Sequence, residues 1–193
     1  SSDVFFYSIG GGYGGIEGLG MNRMKKYEEL FGYGQKTGID TGGEVAGLLP
    51  DANWKKEKIG ERWYIGDDYN SSIGQGYVTA TPLQVLNSIV AIANGGTLYE
   101  PRIVSQIRSY DGKVTPVPTK VIREKFVDSN ILRIVREGMR ETITEGTAQA
   151  LADLAQPQAR GRGGRGRRRL RGHGEHVAGG DVLHLRRAVL GHR

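Results

Sequence analysis

The stretch Ser72-Ile73-Gly74-Gln75-Gly76-Tyr77-Val78-Thr79-Ala80-Thr81-Pro82-Leu83-Gln84 joins a glycine-hinged loop to the clearest helix start in the chain. Thr81 is placed as N-cap, Pro82 as a first helical residue with no N–H to leave unpaired, and Gln84 completes a T-x-x-Q capping box. Leu83, Leu86, Ile89, Val90 and Ala93 then recur at three- and four-residue spacing, which predicts a helix with one apolar stripe. Asn94-Gly95-Gly96 supplies a left-handed stop. Structure alone accounts for the cap and the stripe. It does not account for Gly-Gln-Gly-Tyr ahead of them, where two glycines around one amide side chain predict backbone passing close to something.

The chain has 193 residues, which suits one domain with a modest core. No segment is long and apolar enough to span a bilayer and no signal peptide opens it. It begins Ser1-Ser2-Asp3-Val4-Phe5-Phe6-Tyr7 without an initiator Met, like the interior of a domain, so a fragment is expected. With no cysteine, disulfides and thiolate metal sites are excluded. The net charge of +6 comes from one end. Residues 156–193 carry ten arginines against Glu175 and Asp181, a net +8, which leaves residues 1–155 at −2. All four histidines also lie in that end, so the body has no imidazole for acid–base work or metal binding.

Residues 1–9 read as a cap followed by an apolar helix or buried turn. Gly10-Gly11-Gly12-Tyr13-Gly14-Gly15 matches G-x-G-x-x-G, but no clear strand precedes it and the next helix begins only near Leu19. A flexible surface loop is the better reading. Leu19 to Phe31 has the spacing of an amphipathic helix, ended by Gly32 and Gly34. A polar loop follows through Lys36-Thr37-Gly38-Ile39-Asp40, and residues 51–71 place Trp54 and Trp63 among charges without an evident element. Beyond the capped helix, 97–100 and 103–108 alternate like strands, with Tyr110-Asp111-Gly112-Lys113 as a hairpin turn. Asp128-Ser129-Asn130 caps another helix whose Ile131, Leu132, Val135, Met139 and Ile143 are expected to form its buried face, and a short helix is expected to follow it to Leu154.

From Gln156 onward the composition changes. Lys, Ser, Thr, Asn, Ile, Met, Phe, Tyr and Trp vanish together, and every remaining residue type has a codon beginning with C or G. The chain is therefore expected to divide into a partial domain, 1–155, and an Arg/Gly-rich tail, 156–193, produced by frameshifted translation; the other reading frames of the coding DNA decide it. Taken at face value, Arg160-Gly161-Arg162-Gly163-Gly164-Arg165 would instead be a disordered nucleic-acid-binding arm on a non-catalytic module. The tail has no aromatic residue for base stacking, which argues against that alternative.

Residues 1–155 resemble the transpeptidase domain of class B penicillin-binding proteins, most closely the cell-elongation branch. Ser1-Ser2-Asp3 before Phe5-Phe6-Tyr7 is similar to the family's second active-site motif, S-x-N, in an S-x-D form. Phe31-Gly32-Tyr33-Gly34, Lys36-Thr37-Gly38-Ile39-Asp40, Gly47-Leu48-Leu49-Pro50, Ser72-Ile73-Gly74-Gln75-Gly76 and Thr81-Pro82-Leu83-Gln84 follow in the family's order. The resemblance implies an α/β fold in which an antiparallel sheet is flanked by helices, the helical portion and a hairpin being present here. It implies a serine-type D-Ala-D-Ala transpeptidase, acting on peptidoglycan stem peptides through an acyl-serine, acylated by β-lactams and using no cofactor or metal.

By the same resemblance Ser1 matches the proton-relay serine and Asp3 its polar neighbour, and Gln75 is a candidate for bordering the substrate cleft. Read from the residues alone, Ser1 and Asp3 are equally a helix cap. Lys36-Thr37-Gly38 spells the family's third motif, K-[ST]-G, but occupies a structural segment and is assigned no catalysis. The sequence contains no S-x-x-K, so this chain alone is expected to be inactive. The parent would sit in the bacterial cytoplasmic membrane with this domain outside, working with a membrane glycosyltransferase of the elongation complex.

Overall fold

The computed structural model describes residues 2–152. Ser1, the expected boundary at 155 and the Arg/Gly-rich tail lie outside the described residues. By contact the chain divides into two units, residues 1–137 and 138–193. The order is α1 (Asp3–Gly10), α2 (Gly20–Leu30), α3 (Ala52–Lys58), α4 (Ile65–Ser72), α5 (Pro82–Ala93), β1 (Thr97–Tyr99), β2 (Gln106–Arg108), β3 (Val114–Pro116), β4 (Val121–Glu124), α6 (Ser129–Thr144) and a 3-10 turn (Gln149–Leu151).

Helix α5 starts as its capping box requires. Thr81 is extended, Gln84 N–H donates to Thr81 Oγ1 at 3.2 Å, and Thr81 N–H donates to Gln84 Oε1 at 2.8 Å. Gln84 then does more than cap. Its Nε2 donates to the carbonyls of Gln35 at 2.7 Å and Ala46 at 2.8 Å, so one amide, 1% exposed, pins both arms of the 35–47 loop to the helix start. Leu48 and Thr79 exchange backbone hydrogen bonds beside it. Gly47 must be glycine here, because a Cβ would lie 2.4 Å from the Thr79 carbonyl oxygen.

The apolar stripe of α5 faces the opposite way from the helix's packed side. Gln84, Asn87, Ser88 and Ala91 are buried, whereas Val85, Leu86, Ile89 and Val90 are 40–57% exposed. The buried polar side chains of α5 are all hydrogen-bonded, as burial demands. Asn87 Nδ2 donates to Tyr99 O at 2.9 Å, and Ser88 Oγ lies 2.9 Å from Tyr33 Oη while donating to Val85 O. These bonds set α5 against β1, which pairs antiparallel with β4 (Thr97↔Glu124, Leu98↔Arg123, Tyr99↔Val121, with a register shift after Leu98). Arg123 of β4 donates to the carbonyls of Leu30 and Glu29, capping the C-terminus of α2 where a cation is favoured. Phe31 and Phe126 meet edge to face, 5.1 Å between centroids.

The Asp-Gly turn closes a second antiparallel pair, β2–β3, registered Gln106↔Pro116 to Arg108↔Val114. Its tether to the body is Asp40, whose carboxylate accepts from Ile103 N–H at 3.0 Å and Val104 N–H at 3.2 Å. Those two N–H groups hold the Asp40 carboxyl below its ordinary value. Asp128 caps α6 by accepting from Asn130 and Ile131. Of the face expected to be buried on α6, only Leu132 is; Ile131, Val135 and Met139 are exposed and Ile143 is half-buried. Among the described residues the buried apolar side chains are few: Met21, Leu49, Pro50, Ala91, Leu98 and Leu132.

The loop containing Lys36-Thr37-Gly38 is organised by Glu44. Its carboxylate accepts from Thr37 N–H at 2.7 Å and from Gly38 N–H at 3.0 Å. Partial burial opposes the Glu44 charge, but the facing Thr37 hydroxyl, which falls short of hydrogen-bond geometry, these two N–H donors and Lys36 hold the carboxyl below its ordinary value of 4.5.

Two outcomes follow from these contacts. Gln84→Leu strands two inward carbonyls and the cap donor, and is expected to lower stability by about 2–4 kcal/mol or unfold the chain. In a urea titration at low temperature, Gln75→Ala should change it by less than about 0.5 kcal/mol; equal effects would contradict the pin. Glu44 has a depressed folded-state value, so its contribution is present above 4.5 and fades as pH falls through that lowered value. Glu44→Gln should therefore lower the melting temperature at neutral pH, with the gap to the parent chain closing in acid; a gap that is constant with pH would contradict this.

Candidate active site

The second-motif candidate sits at the start of α1. Ser2, not Ser1, is the N-cap: it is extended, and its Oγ accepts from Phe5 N–H at 3.4 Å. Ser1 itself lies outside the described residues. Asp3 occupies the first turn, exposed, where the partial positive charge of the helix start favours a carboxylate. The helix runs through Gly10, so the glycine run is only in part the surface loop expected. Gly14 and Gly15 are exposed at its tip, but Gly10 is buried against α4.

That contact fixes α1. A Cβ on Gly10 would fall 2.2 Å from Ser72 Cβ, and one on Gly11 would fall 2.1 Å from the Tyr69 ring. Tyr7 packs edge-on against Tyr69 at 5.9 Å between centroids, and Tyr69 Oη donates to Gly12 O at 2.9 Å. Close approach in this region is therefore found at the Gly10-Gly11 pair. It does not belong to Gly74 and Gly76, which the sequence had marked for it. A Cβ on Gly74 meets nothing within 4 Å; both residues have φ near +71°, a left-handed conformation that favours glycine.

Gln75 stands between them, exposed, with its N–H donating to Asn70 O at 2.9 Å. The loop that carries Gln75 leaves directly from the end of α4 that receives Gly10. The structure thus connects the elements bearing Asp3 and Gln75 through α4, at opposite ends of α1. It places no hydrogen bond between the two side chains among the described residues.

Helix α4 is held from its other side by charge. Asp68 Oδ1 accepts from Met21 N–H at 2.7 Å and from Trp63 Nε1 at 3.0 Å, serving as a cap for α2, whose own Leu19 supplies none. Asp67 accepts Tyr64 N–H and both of its oxygens meet Lys55 Nζ, at 2.9 and 2.8 Å. The Lys55 side chain is 5% exposed, with Glu61 at 3.5 Å and the Tyr64 and Tyr77 rings over its ammonium. Asp67 above all raises the Lys55 pKa, so this buried amine stays charged and is unsuited to act as a base. Asp51 caps α3 through Trp54 N–H and pairs with Lys25 at 2.5 Å, which holds its carboxyl below the ordinary range.

In Lys36-Thr37-Gly38 the Thr37 and Gly38 N–H groups are taken by Glu44, and the loop is pinned by Gln84. Among the described residues no three His, Cys, Asp or Glu side chains cluster to hold a metal. The supporting roles of Glu44, Asp67 and Asp68, and the loop contacts of Gln84 beyond its cap, were not read from the sequence. Only Gln84 carried a signal, as the far end of a capping box.

A family model for the penicillin-binding protein transpeptidase domain matches residues 1–175. The peptidoglycan D,D-transpeptidase MrdA of Escherichia coli K12 is 35% identical over 116 residues, covering 60% of this chain and 17% of that protein. Penicillin-binding protein 2 of Pseudomonas aeruginosa, solved in complex with WCK 5153, superposes with TM-score 0.61 at 26% identity, over 79% of this chain and 32% of that one. The Helicobacter pylori protein of the same name, solved in complex with MreC, superposes with TM-score 0.58 at 31% identity, over 74% and 24%. The mixed fold of small antiparallel sheets flanked by helices is the one these neighbours share. The chain spans under a third of the length of each of these relatives, and it belongs to the penicillin-binding protein transpeptidase family.

Proposed function

We propose that this chain is the second-motif portion of a peptidoglycan D,D-transpeptidase of the cell-elongation type. The observation that carries the reading is the family match across residues 1–175 together with the α1–α4–Gln75 assembly. In the complete enzyme a serine from an S-x-x-K motif attacks the D-Ala-D-Ala amide carbonyl of a stem peptide. The amide breaks, D-Ala leaves as the amine and an acyl-serine forms; an amine of a neighbouring stem peptide then takes the acyl group. Ser1 relays a proton toward the departing amine, Asp3 supports it from the positive end of α1, and Gln75 borders the substrate cleft. β-Lactams acylate the same nucleophile, which this sequence does not contain.

The α5 surface supports a role as part of a larger fold. Val85, Leu86, Ile89 and Val90 form an exposed apolar face on a helix whose polar side is already packed. A face of this kind is a surface awaiting cover, and the missing parts of the transpeptidase domain would supply it. The complete protein is proposed to be anchored in the cytoplasmic membrane, with this domain outside and a glycosyltransferase as partner. No described helix is itself long and apolar enough to cross a membrane.

Two measurements check this reading. The chain alone should show no cooperative melt above about 45 °C, the lower edge of the mesophile range, because its packed apolar set is small; a sharp transition above that would contradict it. Fluorescent penicillin should label a complete transpeptidase of this family and lose that label on replacement of the S-x-x-K serine, while this chain takes up none. Labelling of this chain would place the nucleophile within these residues and overturn the assignment.

A further inference from the structure

Helices α1 and α4 leave between them a cleft of about 560 Å³. Val4, Tyr7 and Ser8 share one face of α1, and Tyr69 and Asn70 belong to the face of α4 opposite; Tyr13 closes one end from the glycine turn. Its α4 wall is held at Tyr69, which is clamped by its bond to Gly12 O and by the Gly11 backbone against its ring. Tyr13 is 75% exposed. No lining residue carries a charge, and the neighbouring carboxylates of Asp67 and Asp68 are turned to Lys55 and to Met21 and Trp63. Among the described residues the Tyr7 and Tyr13 hydroxyls and the Asn70 side-chain amide make no hydrogen bond.

These features specify a ligand. An uncharged cleft rejects phosphates, nucleotides and acidic peptides, which need cations to offset their desolvation. Aromatic walls with free phenol and amide groups at the rim suit a molecule that has flat C–H faces and an edge of hydroxyl or amide groups. That is the chemistry of a neutral saccharide. We propose that the α1–α4 cleft binds a neutral glycan, the N-acetylated sugar strand that carries the stem peptides. The inference rests on the transpeptidase reading for the identity of the sugar, and on the cleft alone for its chemical class. It gives α1 two roles: its first turn carries Asp3, and its side positions the strand from which the stem peptide hangs.

The test is an NMR titration of the full chain, with ring-labelled tyrosine, using chitotetraose, an uncharged oligomer of N-acetylglucosamine. Tyr7, Tyr13 and Tyr69 are expected to shift together with one millimolar affinity, and Tyr110, exposed on the β2–β3 turn, to stay unchanged. Tyr13→Ala removes an exposed ring and should weaken binding about tenfold, with Asn70→Ala as the second variant. A flat titration overturns the proposal, as does an equal shift at Tyr110. So does a response to neutral phospholipid vesicles or to an apolar peptide in place of the sugar. The readout needs no acyl transfer. Absent sugar binding alongside intact penicillin labelling of the complete enzyme contradicts the cleft alone; binding without labelling contradicts the transpeptidase reading alone.

Discussion

The amide of Gln84 is where the chain's separate pieces meet. Its oxygen closes the capping box with Thr81 and its nitrogen bridges the carbonyls of Gln35 and Ala46, all at 2.7–2.8 Å. A primary amide suits this position because it offers two donors and an acceptor in one plane, which a carboxylate or hydroxyl cannot. Once those bonds form, the 35–47 loop lies against α5, Glu44 folds back onto Thr37 and Gly38, and Asp40 is placed to hold the segment that leads into the β2–β3 hairpin. The second spine is α4, which receives α1 on glycine backbone and caps α2 through Asp68.

This arrangement packs α5 by its polar side. Burying Gln84, Asn87 and Ser88 is sustainable only because each finds a partner; an unpartnered group of this type costs about 1–3 kcal/mol. The apolar side remains outside, and α6 repeats the pattern with Ile131, Val135 and Met139 exposed. Hydrogen bonding thus specifies how the described elements join, while much of the hydrophobic driving force remains unspent. That balance supports the proposal that these elements form part of a larger transpeptidase domain.

Much of this was legible in the sequence where chemistry is local. The Thr81–Gln84 box, the Asp111-Gly112 turn, the Asp128 cap and the bounds of α2 each depend on side chains within a few residues of the backbone they serve. The facing of α5 was not legible, since polar Gln84, Asn87 and Ser88 recur at the same helical spacing as the apolar set, and periodicity cannot say which set is packed. Helices α3 and α4 were missed because they are short and charged, and take their support from Lys25, Met21 and α1, distant in sequence. The close approach at Gly10 was assigned instead to Gly74 and Gly76 for the same reason: its partner, Ser72, lies 62 residues on. Asp3 and Gln75 were proposed as site residues from the resemblance alone, and the tyrosine cleft between α1 and α4 joins positions with no common motif.

Side-chain and backbone hydrogen exchange by NMR examines the Gln84 junction itself. The Gln84 Nε2 protons and the Thr81 N–H are expected to exchange far more slowly than the exposed Gln75 side chain, and to lose protection together with Leu48 and Thr79 as one unit. Gln84 protons exchanging as fast as those of Gln75, with Leu48 and Thr79 still protected, would show that the loop and the helix are held by something else.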